Sequence, residues 1–573
     1  MLIVAFIAKS ISKCSENVRV IRSFLFELLL ANWILLYRMF CIYLNITPIT
    51  KLMNHQKAGK YRWTICALLF FATTINYLDR QVLSLTWKDF IAPEFHWTNN
   101  DYGLITALFS IFYAVGMLFA GRFVDWLDTK KGFIWAIAIW SVGAILHAFC
   151  GIATSGIIAG EWFVGFEGAK EVIAGIHDFS RVVNVSVVLF IFVRFVLAIG
   201  EAGNFPAAIK TTAEYFPKKD RAFATSIFNA GSTIGALAAP LSIPVIAKWY
   251  GWEMSFIIIG ALGFVWMGFW VFMYDKPEVH PKVNEAELAY IQQDDIPPAE
   301  NEQTVPVTQG KVSILNCLKH RQTWAFAVGK FMTDGVWWFY LFWMPAYLSS
   351  VYGIKSSEWS GQLALFVLYS ITMLSLIGGW LPSLFINRGM NAYEGRMRAM
   401  LIFAFFPLLV LLAQPYGHLS FWVPTILIGI GAAAHQSWSA NIFSTVGDMF
   451  PKKAIATVTG IGGLAGGLGS FFINIYSGKL FDYAETHWSK VNGVNLLEKY
   501  PEIANVDSRK AFFEKFDVAN IDEFLKYLTK QGETVANGID KGYMLVFSYC
   551  AVAYLIAWFI MKLLVPKMKQ VKL

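Results

Sequence analysis

Runs of about twenty apolar residues recur along this 573-residue chain, and they constrain its fold more than any other feature. A helix of that length crosses the hydrocarbon core of a bilayer. Hydrophobic residues make up 56% of the sequence and charged residues only 15%, whereas soluble domains carry about a quarter charged residues. The sequence therefore predicts an all-α integral membrane protein. Its twelve predicted spans lie near residues 63–86, 103–121, 133–151, 188–209, 222–247, 253–275, 323–349, 362–386, 397–414, 420–446, 454–480 and 543–565.

Lysine and arginine are distributed unequally between the short loops on the two sides. If the segment before the first span is cytoplasmic, the outer loops hold only Lys88, Lys248 and Lys355. Because cytoplasmic loops are enriched in these residues, the pattern predicts that both ends of the twelve-span core are cytoplasmic. The inner loops then hold Arg122, Lys130, Lys131, Lys210, Lys218, Lys219, Arg221, Arg388, Arg396, Arg398, Lys452 and Lys453.

The first 52 residues fit this topology poorly. Residues 23–48 are hydrophobic, but Glu27 and Arg38 interrupt them, and a thirteenth span would require an outside N-terminus. We expect Met53 to be the functional start, because MNHQKAGKYRW supplies a polar, basic lead into the first span. An extra membrane helix and an interfacial helix remain alternatives for this extension.

The tetrapeptide FPKK occurs at residues 216–219 and again at 450–453, each time just after an even-numbered span of a six-span set. Glycine-led loops precede both copies, at Gly121 and Gly379, but the spacing is 95 residues in the first half and 71 in the second. We therefore predict two pseudo-symmetric six-helix bundles with outer insertions. The predicted parts are an N-terminal extension (1–59), a first bundle (60–275) with an insertion near 152–186, a cytoplasmic linker (276–322), a second bundle (323–566) with a charged, helical insertion near 482–541, and a cytoplasmic tail (567–573).

Four ionisable residues stand out inside the predicted spans, where charge is costly and marks a functional hypothesis. The first span reads INYLDRQVLS, with Asp79 and Arg80 adjacent. The fourth reads VRFVLAIGEAGNFPAA, with Arg194 and Glu201 two turns apart on one face. A guanidinium stays charged and forks onto a carboxylate, so the arginines suit an anion site, and carboxyl groups in a low-dielectric cavity can exchange protons. The alternative is an internal ion-pair network that holds helices together.

Other polar and aromatic residues are weaker candidates. Side chains that could bond the hydroxyl groups of a ligand are equally suited to hydrogen bonds between helices. Lys330 and Asp334 stand at i, i+4 spacing, which predicts a mutual salt bridge. Trp337 and Trp338 either line the cavity or anchor the helix at the membrane boundary. The candidates for hydroxyl binding are Tyr113, Asn229, Ser232, His435, Ser437 and Asn441.

Enzymatic and nucleotide-binding motifs gain no support. The glycines from 460 to 469 follow no strand, and within an apolar span they give small-xxx-small helix contacts. The sequence has no Walker loop, zinc motif or nucleophile elbow, and its basic residues form no single patch for nucleic acid. We expect no catalytic residues, no cofactor and no metal.

Several motifs resemble a known family. GRFVDWLDTKKG resembles the loop between helices two and three of the major facilitator superfamily. INYLDR, RFVLAIGEAGNFPAAIK, EYFPKKDRA and DGVWWFYLFWMPAYL together resemble its anion:cation symporter family, especially the bacterial hexuronate transporters. The resemblance covers roughly residues 60–480 and the last span, and leaves out the N-terminal 52 residues and both insertions.

The resemblance implies roles for individual residues. Asp79 and Glu201 would be proton-coupling carboxylates, and Arg80 and Arg194 would bind the substrate carboxylate. Tyr77 and Tyr113 would border the sugar. The remaining expected substrate residues are Asn229, Ser232, Trp337, His435 and Asn441, and the expected gating residues of the inner loop are Gly121, Asp125, Lys130 and Lys131.

The resulting functional hypothesis is a proton-coupled symporter that imports a sugar acid, most simply a hexuronate such as galacturonate or glucuronate, through a bacterial inner membrane as a monomer. Its expected partners are the organic anion, protons and the lipid bilayer. The alternatives are a symporter of another organic anion such as an aldonate or glucarate, a facilitator of an uncharged sugar, and a membrane sensor without transport. An uncharged substrate would leave Arg80 and Arg194 without an anionic partner.

Overall fold

The computed structural model describes residues 58–293 and 313–571. The predictions about residues 1–52 and Met53 lie outside these residues, as does the middle of the predicted linker. Nine of the described helical segments are long and apolar enough to cross a membrane. Three further long helices, Tyr61–Thr86, Arg321–Tyr352 and Trp422–Met449, coincide with the other predicted spans. These three carry several of the polar candidate residues, which lower their mean hydropathy.

The first half contains ten α-helices, in which α7 and α8 together form the fourth span. A π-helix, Trp87–Ile91, follows α1. The α-helices are α1 (Tyr61–Thr86), α2 (Ala92–Phe95), α3 (Asn99–Leu127), α4 (Thr129–Ala148), α5 (Cys150–Ala159), α6 (Gly165–Ala174), α7 (Phe179–Ala202), α8 (Asn204–Tyr215), α9 (Lys218–Tyr250) and α10 (Trp252–Met273).

The linker and the second half contribute the remaining elements. The spans formed by α14–α15 and α16–α17 are each interrupted by a 3₁₀ segment, at Thr372–Leu376 and Phe406–Leu412. The α-helices are α11 (Glu285–Ile291), α12 (Ile314–Leu318), α13 (Arg321–Tyr352), α14 (Trp359–Ile371), α15 (Ile377–Asn387), α16 (Ala392–Phe405), α17 (Ala413–Gly417), α18 (Trp422–Met449), α19 (Lys452–Trp488), α20 (Leu496–Lys499), α21 (Val506–Lys515), α22 (Ile521–Lys530) and α23 (Ile539–Leu564).

The repeated FPKK tetrapeptides occupy equivalent positions in the two halves. In each copy the phenylalanine is extended and ends a helix, the proline is the N-cap, and the next helix begins at the first lysine. Pro217 and Pro451 have nearly identical backbone angles, φ −63° and ψ 156° against φ −65° and ψ 150°. A proline N-cap fits because its fixed φ suits the turn that enters a helix. The sequence repeat is therefore also a structural repeat.

The two ends of the bundle need names that do not depend on membrane orientation. The linker face is the end where α10 finishes and α13 begins, with the described residues 274–293 and 313–320. The insertion face is the opposite end, with residues 87–98, 149–178 and 489–538. Large apolar side chains such as Phe119, Phe192 and Phe272 are exposed around the bundle between the two faces, as a lipid-facing surface requires.

Both predicted insertions are shorter than the sequence suggested. The range 152–186 was expected to be loop, but α7 begins at Phe179, where the Asp178 side chain accepts a hydrogen bond from the Arg181 amide at 3.2 Å. The range 482–541 loses its first residues to α19, which runs to Trp488. Long helices project beyond the hydrocarbon core, so apolar runs underestimate their length.

The second insertion, residues 489–538, contains a small sheet as well as the expected helices. Its strands are β1 (Lys490–Val491), β2 (Val494–Asn495) and β3 (Val535–Ala536), and both outer strands pair antiparallel with β1. The sheet, α20, α21 and α22 enclose an apolar cluster of their own that includes Leu496, Ile503 and Phe524. The segment is therefore a small folded body.

The halves meet along helices from both bundles. α3 packs along α19, α9 against α14 and α1 against α13. Small side chains allow α3 and α19 to approach closely, and the Ser110 and Ser470 hydroxyls are 3.2 Å apart. Nearer the insertion face, the Trp87 ring stacks on Tyr102 at 4.0 Å, and the Tyr102 hydroxyl donates to the Phe342 carbonyl at 2.9 Å.

Candidate functional site

The centre of the site is an ion pair between α1 and α7. Arg80 donates from Nε and Nη2 to the same oxygen of Glu201, Oε2, at 2.9 and 2.7 Å. Arg80 is 3% exposed and Glu201 is fully buried. Because both bonds use one oxygen, Oε1 of Glu201 has no hydrogen-bond partner among the residues that the structure describes. The ion-pair alternative thus holds for two of the four charges in this conformation.

Asp79 and Arg194 are the other two charges, and both are 2% exposed. Within the described part of the chain, neither Asp79 oxygen has a hydrogen-bond partner, and Nε and Nη1 of Arg194 have none. Arg194 attracts Asp79 and Glu201 electrostatically and repels Arg80. A buried charge without direct hydrogen bonds is expensive, so this arrangement favours a ligand or solvent that supplies them.

Buried amides close to these charges in the sequence share this lack of partners. Asn76 and Gln81 on α1 and Asn204 on α8 are buried, and both polar atoms of each side chain make no hydrogen bond to another described residue. Most buried polar groups in proteins are satisfied. Donors and acceptors in this number suit a ligand with many hydroxyl groups.

Aromatic rings surround the Arg80 guanidinium. Its carbon lies 4.6 Å from the ring centre of Tyr113, 5.0 Å from that of Trp338 and 5.1 Å from that of Tyr77. Phe109 lies 5.0 Å from the Arg194 guanidinium and 6.0 Å from that of Arg80. Cation–π contacts stabilise a charge without neutralising it. Since Trp338 lies on α13, the site includes both halves.

Sequence reasoning missed two of these residues as members of the site. Phe109 is absent from the predicted residues, although it stands at i, i+4 from Tyr113 on α3 and so shares its face. Trp337 and Trp338 are both predicted cavity candidates, but only Trp337 is among the predicted substrate residues. The structure places Trp338 over Arg80, whereas Trp337 stacks on His435 at 5.7 Å with the rings nearly parallel.

The candidates on α18 make hydrogen bonds between helices. His435 Nδ1 is 2.8 Å from the Tyr554 hydroxyl of α23. Asn441 donates from Nδ2 to the Gly378 carbonyl at 2.7 Å and to the Ser437 carbonyl at 2.9 Å. These side chains therefore show the alternative stated for them, and a role in substrate binding stays a prediction.

The candidates on α9 are surface residues or bond locally, and Lys330 and Asp334 on α13 bond each other. Asn229 is exposed, and its backbone carbonyl accepts a 2.7 Å hydrogen bond from the Ser232 hydroxyl one turn later. Lys330 and Asp334 form the predicted mutual salt bridge, at 2.6 Å, and the Lys330 ammonium lies 4.1 Å from the Phe443 ring centre.

The expected gating residues lie at the junction of α3 and α4 on the linker face. Asp125 pairs with Lys210 at 3.1 Å, and Lys130 pairs with Asp275 at 2.8 Å. Lys131 is exposed, and a side chain added at Gly121 would meet open space. These ion pairs join helices within the first half, so the motif holds that half together at the linker face in this conformation.

Metal chemistry has no candidate among residues 58–293 and 313–571, where no three His, Cys, Asp or Glu side chains are close enough together to hold an ion. The site instead offers fixed cations, carboxylates, amides and aromatic faces. Paired six-helix repeats with buried charges near their interface define the class of secondary transporters.

A sequence model of the Major Facilitator Superfamily matches residues 69–473. Because the match spans more than half of the chain, the protein belongs to this superfamily, and it is a transporter and not an enzyme.

Two relatives named for their substrates agree with the motif resemblance. The chain is 29% identical to the hexuronate transporter of Escherichia coli strain K12 over 74% of this chain and 89% of the relative. It is 26% identical to the galacturonate transporter of Dickeya chrysanthemi over 56% of this chain and 82% of the relative. The resemblance to hexuronate transporters is thereby confirmed.

A solved structure confirms the fold alone. A bacterial homologue of the human lysosomal transporter Spinster, in an inward-facing and occupied conformation, has a TM-score of 0.59 and 18% identity. The similarity covers 88% of this chain and 97% of that one. The predicted fold class of paired six-helix bundles is therefore confirmed.

Proposed function

We propose that this transporter is a proton-coupled symporter that imports a sugar acid, most simply a hexuronate such as galacturonate or glucuronate. The observation that carries the proposal is Arg194, a buried and permanently charged guanidinium with two nitrogen atoms that no described residue accepts from. Its planar fork matches a carboxylate, and the buried amides of α1 and α8 match hydroxyl groups. The names of the two relatives support the same substrate class.

The Arg80–Glu201 pair suggests how proton and substrate binding are coupled. While Glu201 is ionised, it occupies two Arg80 donors. Protonation of Glu201 removes that charge and leaves Arg80 free to bind the substrate carboxylate beside Arg194. Linkage is reciprocal, so a bound anion also favours the protonated carboxyl. Asp79 is the second proposed proton carrier, because Arg194 stabilises its ionised form and a bound anion that neutralises Arg194 would remove that stabilisation.

We place the linker face in the cytoplasm of a bacterial inner membrane, because the lysine and arginine of the short loops concentrate there. Import of one monoanion with two protons would move one net positive charge inward, which the membrane potential favours by about 2.3 kcal/mol per 100 mV. The stoichiometry and a monomeric carrier are parts of the same proposal.

The test is uptake of labelled galacturonate into liposomes that contain the purified protein, with and without an imposed proton gradient. Glucuronate, galactonate and glucarate serve as competitors that rank the substrates. Saturable accumulation that an uncoupler abolishes is expected. Uncoupled equilibration would contradict proton coupling. If labelled galacturonate is not taken up, the assay is repeated with each of the other three acids labelled, and no uptake of any of the four would contradict the substrate class.

Glu201→Gln separates the proton role from binding. A neutral amide mimics the protonated carboxyl, so this variant should still exchange labelled for unlabelled substrate, which requires only the loaded carrier to reorient. It should lose concentrative uptake, which requires proton release inside. Gradient-dependent accumulation by Glu201→Gln would show that Glu201 is not an obligatory proton carrier. Asp448→Asn is the matched control, because Asp448 pairs with Arg396 at the linker face, away from the site.

A further inference from the structure

The second insertion, residues 489–538, lies outside the family motifs, yet it makes specific contacts with the opposite half. It follows α19 and precedes α23, and so belongs by sequence to the second half. Lys88 of the first half pairs with Asp522 at 3.1 Å. His96 Nδ1 is 2.9 Å from Glu523 Oε1, and Asn520 Nδ2 donates to the His96 carbonyl at 3.1 Å. Three side chains of the insertion thus hold one short segment of the first half.

The Lys88 side chain is largely buried in this contact. Its side chain is 8% exposed, and the carboxylates of Asp522, Glu485 and Asp482, all from the second half, attract it. Burial alone would lower the pKa of Lys88, but these carboxylates outweigh burial and raise it. The pKa of Asp522 is lowered, since the attraction of Lys88 and Lys526 outweighs its burial. Both partners are therefore ionised at neutral pH.

A second band of bonds lies beside the insertion. The backbone nitrogen and the side-chain Nδ2 of Asn99 both donate to Asp482 Oδ1 at 3.0 Å, and Nδ2 also donates to Glu485 at 3.1 Å. Asp89 accepts from the Ser349 hydroxyl at 2.7 Å and from the Ser356 amide at 2.8 Å. These bonds also join the first half to the second at the insertion face.

The linker face has a different pattern of ion pairs. Those between Asp125 and Lys210, Lys130 and Asp275, and Arg396 and Asp448 each lie within one half. Among residues 58–293 and 313–571, the charged contacts that cross between the halves are thus concentrated at the insertion face, and the insertion supplies an outer layer of them.

We infer that residues 489–538 are a clasp that holds the insertion face closed and opposes the separation of the two halves there. The inference rests on the alternating opening of the proposed function, in which the halves rock about a central site. Opening toward the insertion face must break the Lys88–Asp522 and His96–Glu523 contacts together. The clasp would therefore bias the substrate-free carrier toward the conformation described here. It would also slow the change to the conformation that is open at the insertion face.

The test measures the distance between the halves at the insertion face by pulsed electron–electron double resonance. Spin labels at Glu171→Cys and Glu358→Cys report it, because both residues are exposed, one on α6 and the other just before α14. The full-length protein is used with its native cysteines replaced and without substrate. The measurement therefore does not depend on whether the substrate is a sugar acid.

The variant Asp522→Asn with Glu523→Gln should raise the ratio of separated to closed molecules about tenfold, which corresponds to ~1.4 kcal/mol. The matched control is Glu533→Gln, which breaks the Lys499–Glu533 ion pair inside the insertion and leaves the contacts with the first half intact. It should leave the distances unchanged. Equal distances in the double variant and the wild type, or an equal shift in the control, would overturn the clasp.

A charge exchange protects the test against simple unfolding of the insertion. Lys88→Asp alone places a carboxylate among those of the second half and should open the insertion face strongly. Adding Asp522→Lys to that variant restores an ion pair and should recover part of the closed population. Failure of the second substitution to recover any closed molecules would show that this pair does not hold the halves together.

Discussion

The Arg80–Glu201 pair yields a quantitative prediction about stability. In Arg80→Gln the fully buried Glu201 carboxylate loses its ion-pair partner. Removal of one partner from a buried ion pair costs about 3–5 kcal/mol because it leaves an uncompensated buried charge, and removal of both partners leaves no such charge. Arg80→Gln should therefore be more destabilising than the double variant that also carries Glu201→Gln, with a coupling free energy of about 2–3 kcal/mol.

The measurement is the free energy of unfolding in mixed micelles of sodium dodecyl sulfate and a mild detergent, for the wild type, both single variants and the double variant. The control cycle uses Arg396 and Asp448, which are 2.8 Å apart but 25% and 13% exposed, so their coupling should be about 1 kcal/mol or less. Additive effects of Arg80→Gln and Glu201→Gln would refute the reasoning. They would mean that solvent or another group already compensates the Glu201 charge.

Three further predictions concern single side chains. Arg194→Lys should reduce uptake at limiting substrate at least about tenfold, because an ammonium lacks the planar fork. The control is Arg181→Lys, which lies at the exposed start of the same helix and should leave uptake unchanged. Glu94, outside the spans, has its pKa raised by burial from 4.5 to about 7. Since the unfolded carboxyl then ionises first, stability should fall by up to about 3 kcal/mol as pH rises from 4.5 to 7, and thermal unfolding of Glu94→Gln between pH 4.5 and 8 should lack that loss. Gly467→Ala should destabilise the closed bundle by about 1–3 kcal/mol, because the new methyl group would overlap α3. Gly463→Ala should not, because its methyl group would meet open space. The measurement is the free energy of unfolding of both variants in detergent.

The sequence predicted the twelve spans because each is a long apolar run, and it predicted the charged residues of the site because charge inside such a run is conspicuous. It could not predict that Arg80 pairs with Glu201. The sequence gives one arginine and one carboxylate on each of two spans, and which of them meet depends on the packing of α1 against α7. The structure pairs Arg80 and Glu201, and it leaves both Asp79 oxygens and two Arg194 nitrogens without hydrogen bonds to described residues.

The choice between Trp337 and Trp338 failed for a related reason. Adjacent residues on a helix point about 100° apart, and a nearly all-apolar helix such as α13 gives no periodic signal to show which side faces the site. The sheet of the insertion was also missed, because strands of two residues are too short to show alternation. These details are fixed by tertiary packing, which local patterns do not report.

The π-helix at Trp87–Ile91 makes the length of that segment as important as its composition. Its turn is wider and holds about one residue more than an α-helical turn. Within it, Lys88 contacts Asp522 of the insertion, and its neighbour Asp89 contacts Ser349 and Ser356 near the α13–α14 connection. Loss of one residue here would rotate everything that follows by about 100° relative to α1. Homologous chains that keep the insertion should therefore tolerate substitutions in this segment more readily than deletions.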